Sequence, residues 1–430
     1  MAIRLGTERI IALLAQLYAP QKNFRVFHVG GTNGKGSVCA YLSSILTRSE
    51  LTTGRFTSPH LLEPRDAIAV NDAAIGRALY ADASALVRDV DERCEIGASK
   101  FEIQVATAME VFARKAVDVA VIEVGLGGAT DATNVDYKRQ NVLGTIITRI
   151  GVDHQKFLGN TVTEIAHLKA GIMRSKVPCT IHGDSPTAAL DVLLRDAQEC
   201  GSPATVITAE RLKQVDEGTY FDTQWFGRVP VSDTPLHGAY QQMNLACALA
   251  ALDSAGGQLG TVTAASVREG IASTQWPGRL QLVPASKFTG DLDDIDKNVL
   301  VDGAHNVQAA LSLAEFVDTH IRPSSSEGRV TWVIALSGDR EPAELLPLML
   351  RAGDRVYATT FGAVEDMPWI VSRDTASLAA AAESIVGKDS VVVSPGSGPL
   401  AVVREACREP AAVVVCGSLY LAADVLRGSM

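Results

Sequence analysis

The sequence predicts an α/β protein of two domains, a larger one built on a mostly parallel sheet and a smaller α/β unit after it. Three observations carry this. Short, wholly apolar runs recur along the chain, as expected of parallel strands covered on both faces. Stretches of helical spacing separate most of them, giving the strand, helix, strand order of right-handed crossovers. The chain has 430 residues, too many for one domain at a prior of about 150 residues each.

The elements follow in order. FRVFHVG (24–30) is β-branched and aromatic and reads as a buried strand, and SVCAYLSSILTRS after it has helical spacing. VDVAVIEVG (117–125), NVLGTIITRI (141–150) and VPCTIHG (177–183) read as further strands, with helices at 73–93, 101–116, 161–173 and 186–200. A second series begins at NVLVDGAHN (298–306) and continues through RVTWVIALS (329–337), DRVYATTFG (354–362) and AAVVVCGS (411–418). Between the two series, ASKFTGDLDDIDKN (285–298) has the acids, Gly and Ser of a linker or hairpin loop. The domains are therefore expected at 1–288 and 296–430.

Composition narrows the class. Apolar residues make up 47% and charged residues 20%, and no run of about 18 apolar residues reads as a membrane span. A net charge of −10 argues against binding nucleic acid or a membrane surface, which needs a basic face. The N-terminal stretch carries Glu8 and helical spacing rather than the Arg- and Ser-rich pattern of a transit peptide, so a cytoplasmic location is expected. The seven cysteines are scattered without metal-type pairing and read as reduced, mostly buried thiols.

VFHVGGTNGKGS (26–37) joins a strand, a glycine-rich loop and a helix, the arrangement that turns backbone N–H groups and a helix N-terminus toward phosphate. Lys35 adds a mobile cation and Ser37 a hydroxyl for magnesium, so the larger domain is expected to be of P-loop type. The spacing departs from G-x-x-x-x-G-K-[ST]: Val29 stands at the first glycine, and Gly36 separates Lys35 from Ser37. VIEVGLGGATDATN (121–134) places Glu123 at a strand end, and ITRIGVDHQKFLG (147–159) places Asp153 and His154 past another, at the carboxyl edge where α/β sheets collect ligands. A buried carboxylate there needs a cation. A metal on Ser37, Glu123 and His154 is one reading; a simply hydrogen-bonded His154 is the other.

Taken together, GTNGKGS, TSPHL (57–61), FE (101–102), EVGLGGATDATN, the DH and LG pairs of 153–159, LKAGI (168–172), WPGR (276–279), DGAHN (302–306) and GSLYL (417–421) resemble the folylpolyglutamate synthase and dihydrofolate synthase group of the Mur ligase superfamily. The oddly spaced phosphate loop is that family's own version. Within the group, RVFHVGGTNGKGSVCAYLSSIL, GAYQQMNL (238–245), EDMPWI (365–370) and VVVCGSLYL (413–421) are similar to the fungal dihydrofolate synthetases. Folylpolyglutamate synthases usually carry Glu-Arg-Ile after SPHL; this chain has Asp66, Ala67 and Ile68.

The resemblance implies Mur ligase architecture with a Rossmann-like C-terminal domain, and an ATP- and Mg2+-dependent ligase. It would join the benzoate carboxyl of 7,8-dihydropteroate to the amine of L-glutamate through an acyl phosphate; the alternative is a folylpolyglutamate synthase that extends tetrahydrofolate, or an enzyme that does both, and a monomer is expected. It further implies that Asn33, Gly34, Lys35 and Gly36 hold phosphates and that Ser37, Ser58, Glu123 and His154 ligate magnesium. Lys35, His154, Lys169 and Arg279 would serve the chemistry, Lys169 either carbamylated or as a plain cation. Asn244 matches an adenine contact, Arg279 a phosphate contact and Asp302 a residue of the ATP site. Ser99, Lys100, Phe101, Glu102, Thr130, Asp131 and Ala132 match the pterin pocket, although Phe101 equally suits the core, and Trp276 suits either interface packing or a ligand. His305 and Arg340 match the glutamate site. Because these residues divide between the two domains, domain closure is expected.

Overall fold

In the computed structural model, which describes residues 5–290, 297–394 and 398–429, the strand expected at 24–30 is Arg25–Gly30 (β1), buried from Val26 onward. It lies inside an eight-stranded sheet with Thr53–Phe56 (β2), Ile68–Val70 (β3), Ala73–Ala74 (β4), Val119–Glu123 (β5), Val142–Ile147 (β6), Cys179–His182 (β7) and Ala204–Ile207 (β8). The order is β4-β3-β2-β5-β1-β6-β7-β8, parallel from β2 to β8, with β3 and β4 antiparallel at one edge. β1 has β5 on one side and β6 on the other. The loop after β1 therefore sits where strand order reverses, the place where open α/β sheets bind ligands.

The expected helices form at Lys35–Arg48, Arg77–Arg93, Lys100–Arg114, Val162–Ala170 and Thr187–Cys200. Lys35–Arg48 is buried on every side from Ser37 to Leu46, where its residues are apolar apart from three serines and the Tyr41 hydroxyl. It is covered by Tyr240–Ala255 and Ala264–Ser273. A separate antiparallel meander, Leu212–Val215 (β9), Gly218–Thr223 (β10) and Gly227–Pro230 (β11), was not expected from the sequence.

The second sheet has six strands: Gln281–Pro284 (β12), Asn298–Val301 (β13), Val330–Ile334 (β14), Arg355–Ala358 (β15), Val391–Val393 (β16) and Ala412–Cys416 (β17). Its order is β12-β13-β17-β14-β15-β16, parallel except for β12. The chain divides into two compact units, Met1–Pro235 with Ala239–Trp276, and Leu236–Gly238 with Pro277–Met430. Residues 277–288, assigned from the sequence to the larger domain, thus accompany the smaller one, because β12 pairs antiparallel with β13. Of the linker expected at 285–298, Ser286–Thr289 forms a short helix, and 291–296 lie outside the described residues.

The cysteines are free thiols, and Cys39, Cys179, Cys247, Cys407 and Cys416 are buried. Among the described residues, no helix is long and apolar enough to cross a membrane.

Candidate active site

The loop after β1 is held from below by the end of β6. Thr32 and Asn33 donate their backbone N–H groups to the Arg149 carbonyl at 3.0 and 3.2 Å, and the Thr32 hydroxyl donates to the Gly151 carbonyl at 3.1 Å. Gly31, at φ +135°, crosses so close to Thr148 that an added Cβ would lie 1.9 Å from the threonine Oγ1. Only glycine has both that conformation and that clearance. The backbone amide of Asn33, a residue expected at the phosphates, donates to the Arg149 carbonyl here. The first turn of Lys35–Arg48 follows, where N–H groups have no intrahelical acceptor and suit an anion.

Two lysines and one carboxylate meet at this loop. Lys35 Nζ donates to the Thr32 carbonyl at 3.2 Å and lies 3.7 Å from Glu123 Oε1 at the end of β5. Glu123 Oε2 accepts the backbone N–H of Ser58, which follows β2, at 3.3 Å. Lys169, at the end of Val162–Ala170, donates Nζ to the Gly31 carbonyl at 2.8 Å and is only 5% exposed. Burial, with Lys35 as the next cause, lowers the Lys169 ammonium to about 7. His154 is exposed in a left-handed conformation, its N–H donating to the Asp153 carboxylate at 2.8 Å.

The helix Tyr240–Ala255 closes the loop from the other side. Asn244 Oδ1 faces Gly34, where an added Cβ would approach it to 2.4 Å, and Asn244 is 2% exposed. Asn244, expected at adenine, is packed against the phosphate loop. Trp276 lies over Gly36, where an added Cβ would meet its ring at 2.5 Å. The Arg55 guanidinium sits 5.3 Å from the centre of that ring and donates to Asp72 at 3.0 Å. Arg55 was not singled out in the sequence, because TGRF does not read as a strand.

The residues matched to the pterin pocket divide. Phe101 stands over Gly125, where an added Cβ would meet its ring at 2.3 Å, with Phe56 6.1 Å away. Ser99 and Glu102 form a capping box on Lys100–Arg114, the Ser99 hydroxyl accepting from the Glu102 N–H at 3.2 Å and Glu102 Oε2 accepting from the Ser99 N–H at 2.7 Å. Arg9 pairs with the same carboxylate oxygen at 3.1 Å. Asp131 is turned into its own loop, accepting from the Leu126 and Thr133 N–H groups and the Thr133 hydroxyl, and burial raises its carboxyl above the usual range. Ala132 is buried beside it, while Thr130 and Lys100 are exposed.

In the smaller unit, Asp302 accepts from the Leu280 N–H at 2.8 Å and the Ala304 N–H at 2.7 Å, tying the turn that carries Arg279 to the one that carries His305. Arg279 extends along the same turn, donating to the Gly278 carbonyl at 3.0 Å. His305 Nδ1 pairs with the Gly303 carbonyl at 2.8 Å. A carbonyl can only accept, so Nδ1 carries the proton. Arg340 follows β14 and His305 follows β13, both at the carboxyl edge of the sheet.

Among the described residues, no group of three or more His, Cys, Asp and Glu side chains is placed to hold a metal by itself. The donors are instead a hydroxyl, Ser37, in the first turn of Lys35–Arg48, and a carboxylate, Glu123, at the end of β5. Hard oxygen donors in so small a number fit Mg2+, which keeps several waters and takes phosphate oxygens along with one or two protein ligands.

The Mur ligase middle domain model matches residues 29–252, and the dihydrofolate synthetase C-terminal domain model matches residues 288–428. The chain is 38% identical to the probable dihydrofolate synthetase of Schizosaccharomyces pombe, with 99% of each chain covered. It is 35% identical to the dihydrofolate synthetase of Saccharomyces cerevisiae, over 99% of this chain and 98% of that one. Among solved structures, E. coli FolC in complex with DHPP and ADP superposes with a TM-score of 0.81 at 28% identity, covering 99% of this chain and 94% of the other.

Proposed function

The chain belongs to the dihydrofolate synthetase family of the Mur ligase superfamily and is an ATP-dependent acid–amino-acid ligase; from that premise we propose how its residues join L-glutamate to 7,8-dihydropteroate. A carboxylate is a poor electrophile, so the benzoate oxygen first takes the γ-phosphoryl group of ATP, releasing ADP. The glutamate amine then attacks the acyl carbon, loses a proton, and phosphate departs with the former carboxylate oxygen. The product is dihydrofolate.

The observation that carries this reading is the convergence of Lys35, Lys169 and the first turn of Lys35–Arg48 on one loop at the reversal of strand order. Two unit negative charges about 4 Å apart repel by roughly 4 kcal/mol at an effective dielectric of 20. Positive groups fixed before the substrates arrive offset that cost without reorganising. Lys35 and the Gly34 and Gly36 amides take the β- and γ-phosphates, and Arg279 and Asp302 serve the nucleotide. Ser37, Ser58, Glu123 and His154 would hold Mg2+, which when bound neutralises phosphate charge as in other phosphoryl transfers. Phe101 supplies an aromatic wall for the pterin. Arg340, whose planar fork suits a carboxylate, and His305 take L-glutamate.

Ala67 supports dihydropteroate as acceptor. It stands where folylpolyglutamate synthases place an arginine and is 1% exposed, its carbonyl accepting from the Thr57 N–H at 3.0 Å. The reading also takes the protein to be a cytoplasmic monomer; that it binds neither nucleic acid nor a membrane surface is supported by the net charge of −10.

Oxygen transfer tests the chemistry directly. With 18O in the carboxylate of dihydropteroate, the released phosphate must carry one 18O atom per turnover. Unlabelled phosphate accompanied by dihydrofolate would exclude the acyl phosphate.

A further inference from the structure

The reaction as described gives no task to Gln241, yet this glutamine is 0% exposed against the phosphate loop. A buried primary amide must satisfy both its ends. Gln241 Nε2 donates to the Ser37 hydroxyl at 3.3 Å, and its Oε1 accepts from Asn244 Nδ2 at 3.1 Å. Asn244 turns its own Oδ1 toward Gly34. That orientation leaves its NH2 facing Gln241, which in turn leaves the Gln241 NH2 facing Ser37. The relay thus has one polarity along its length, from the Asn244 amide through Gln241 to the Ser37 hydroxyl.

A serine hydroxyl has one proton and two lone pairs. The N–H of Gln241 occupies one lone pair from the buried side, leaving the other lone pair and the proton for groups on the loop side. We propose that Gln241 is a positioning residue of the nucleotide site: it holds the Ser37 hydroxyl with a lone pair presented to a divalent cation bound together with the nucleotide, and Asn244 locks its amide in the orientation that does so. The inference rests on the ligase reading above. Gln241 acts through Ser37 and touches neither nucleotide nor cation.

The test is calorimetric titration of ADP into the full chain, once with MgCl2 and once with EDTA, for the wild type, Gln241→Met and Gln241→Leu. Methionine keeps the length and loses the donor. Leucine loses the donor as well and, like methionine, adds no charge beside the phosphate loop. The quantity read is the ratio of ADP affinity with Mg2+ to that without. In both variants the ratio should fall about tenfold, while affinity in EDTA changes by less than about twofold. An unchanged ratio, or equal loss with and without Mg2+, would show Gln241 to be packing only and overturn the proposal. If Gln241→Met does not fold, Gln241→Leu decides alone. A wild type whose ADP affinity ignores Mg2+ would overturn the ligase reading of the loop itself, whatever Gln241 does.

Discussion

Lys169 is placed where an ammonium is poorly solvated, with the Gly31 carbonyl as its hydrogen-bond acceptor. Its folded value of about 7 lies below the ordinary 10.5, so between these the unfolded chain binds more protons and stability rises with pH. In carbonate-free buffer, the unfolding free energy of the wild type should therefore climb from pH 7 to pH 9 relative to Lys169→Met, by up to about 1.4 kcal/mol per pH unit for one proton. Parallel profiles would contradict the burial of this lysine. The same depression supplies neutral amine near neutral pH, which is the form able to take up CO2. A carbamate signal after 13C-bicarbonate addition, absent in Lys169→Met, would settle which of its two roles it plays. Arg340 carries a separate expectation. Its backbone is fixed by an N–H to the Ser337 carbonyl at 2.9 Å and by Arg373 on its own carbonyl at 2.6 Å, so truncating the side chain should leave the loop in place. Arg340→Ala should raise the apparent KM for glutamate more than that for ATP, and unchanged glutamate kinetics would remove Arg340 from the site.

The glycine-rich loop was legible in the sequence because its chemistry is written in consecutive residues: strand, glycines, Lys35, Ser37. What supports it was not, since Thr148 and Arg149, Gln241, and Arg55 come from three distant segments whose residue types signal nothing until the fold brings them together. β2 escaped for a related reason: Thr53-Gly54-Arg55-Phe56 has neither an apolar run nor alternation, and is a strand because β5 and β3 flank it. Ser99, Glu102 and Asp131 fit a binding motif in sequence; the Ser99 hydroxyl and Glu102 Oε2 also close a helix cap and Asp131 ties a turn, while Glu102 Oε1 is buried without a hydrogen-bond partner among the described residues. Ser99→Ala should accordingly cost about 1 kcal/mol of stability, as lost N-caps do, and leave the KM for dihydropteroate unchanged. A raised KM with unaltered stability would return Ser99 to the pocket.

The alternation of strands and helices announced both sheets, but it missed β2 and the β9–β11 meander and misplaced residues 277–288, where a short antiparallel pairing decides membership: β12 goes with β13 rather than with the chain that precedes it. Acceptor choice is likewise a property of the assembled chain. The Asp66-Ala67-Ile68 stretch closes a capping box at Glu63, buries Ala67 and enters β3 against Phe56. No guanidinium arises from it, and at Ala67 the side chain is a buried methyl group. The most direct test is phosphate release by the purified protein with MgATP and L-glutamate, comparing 7,8-dihydropteroate with tetrahydrofolate as acceptor and weighing the products. Turnover with dihydropteroate alone, yielding dihydrofolate, is the predicted result; glutamate addition to tetrahydrofolate at a comparable rate would contradict it.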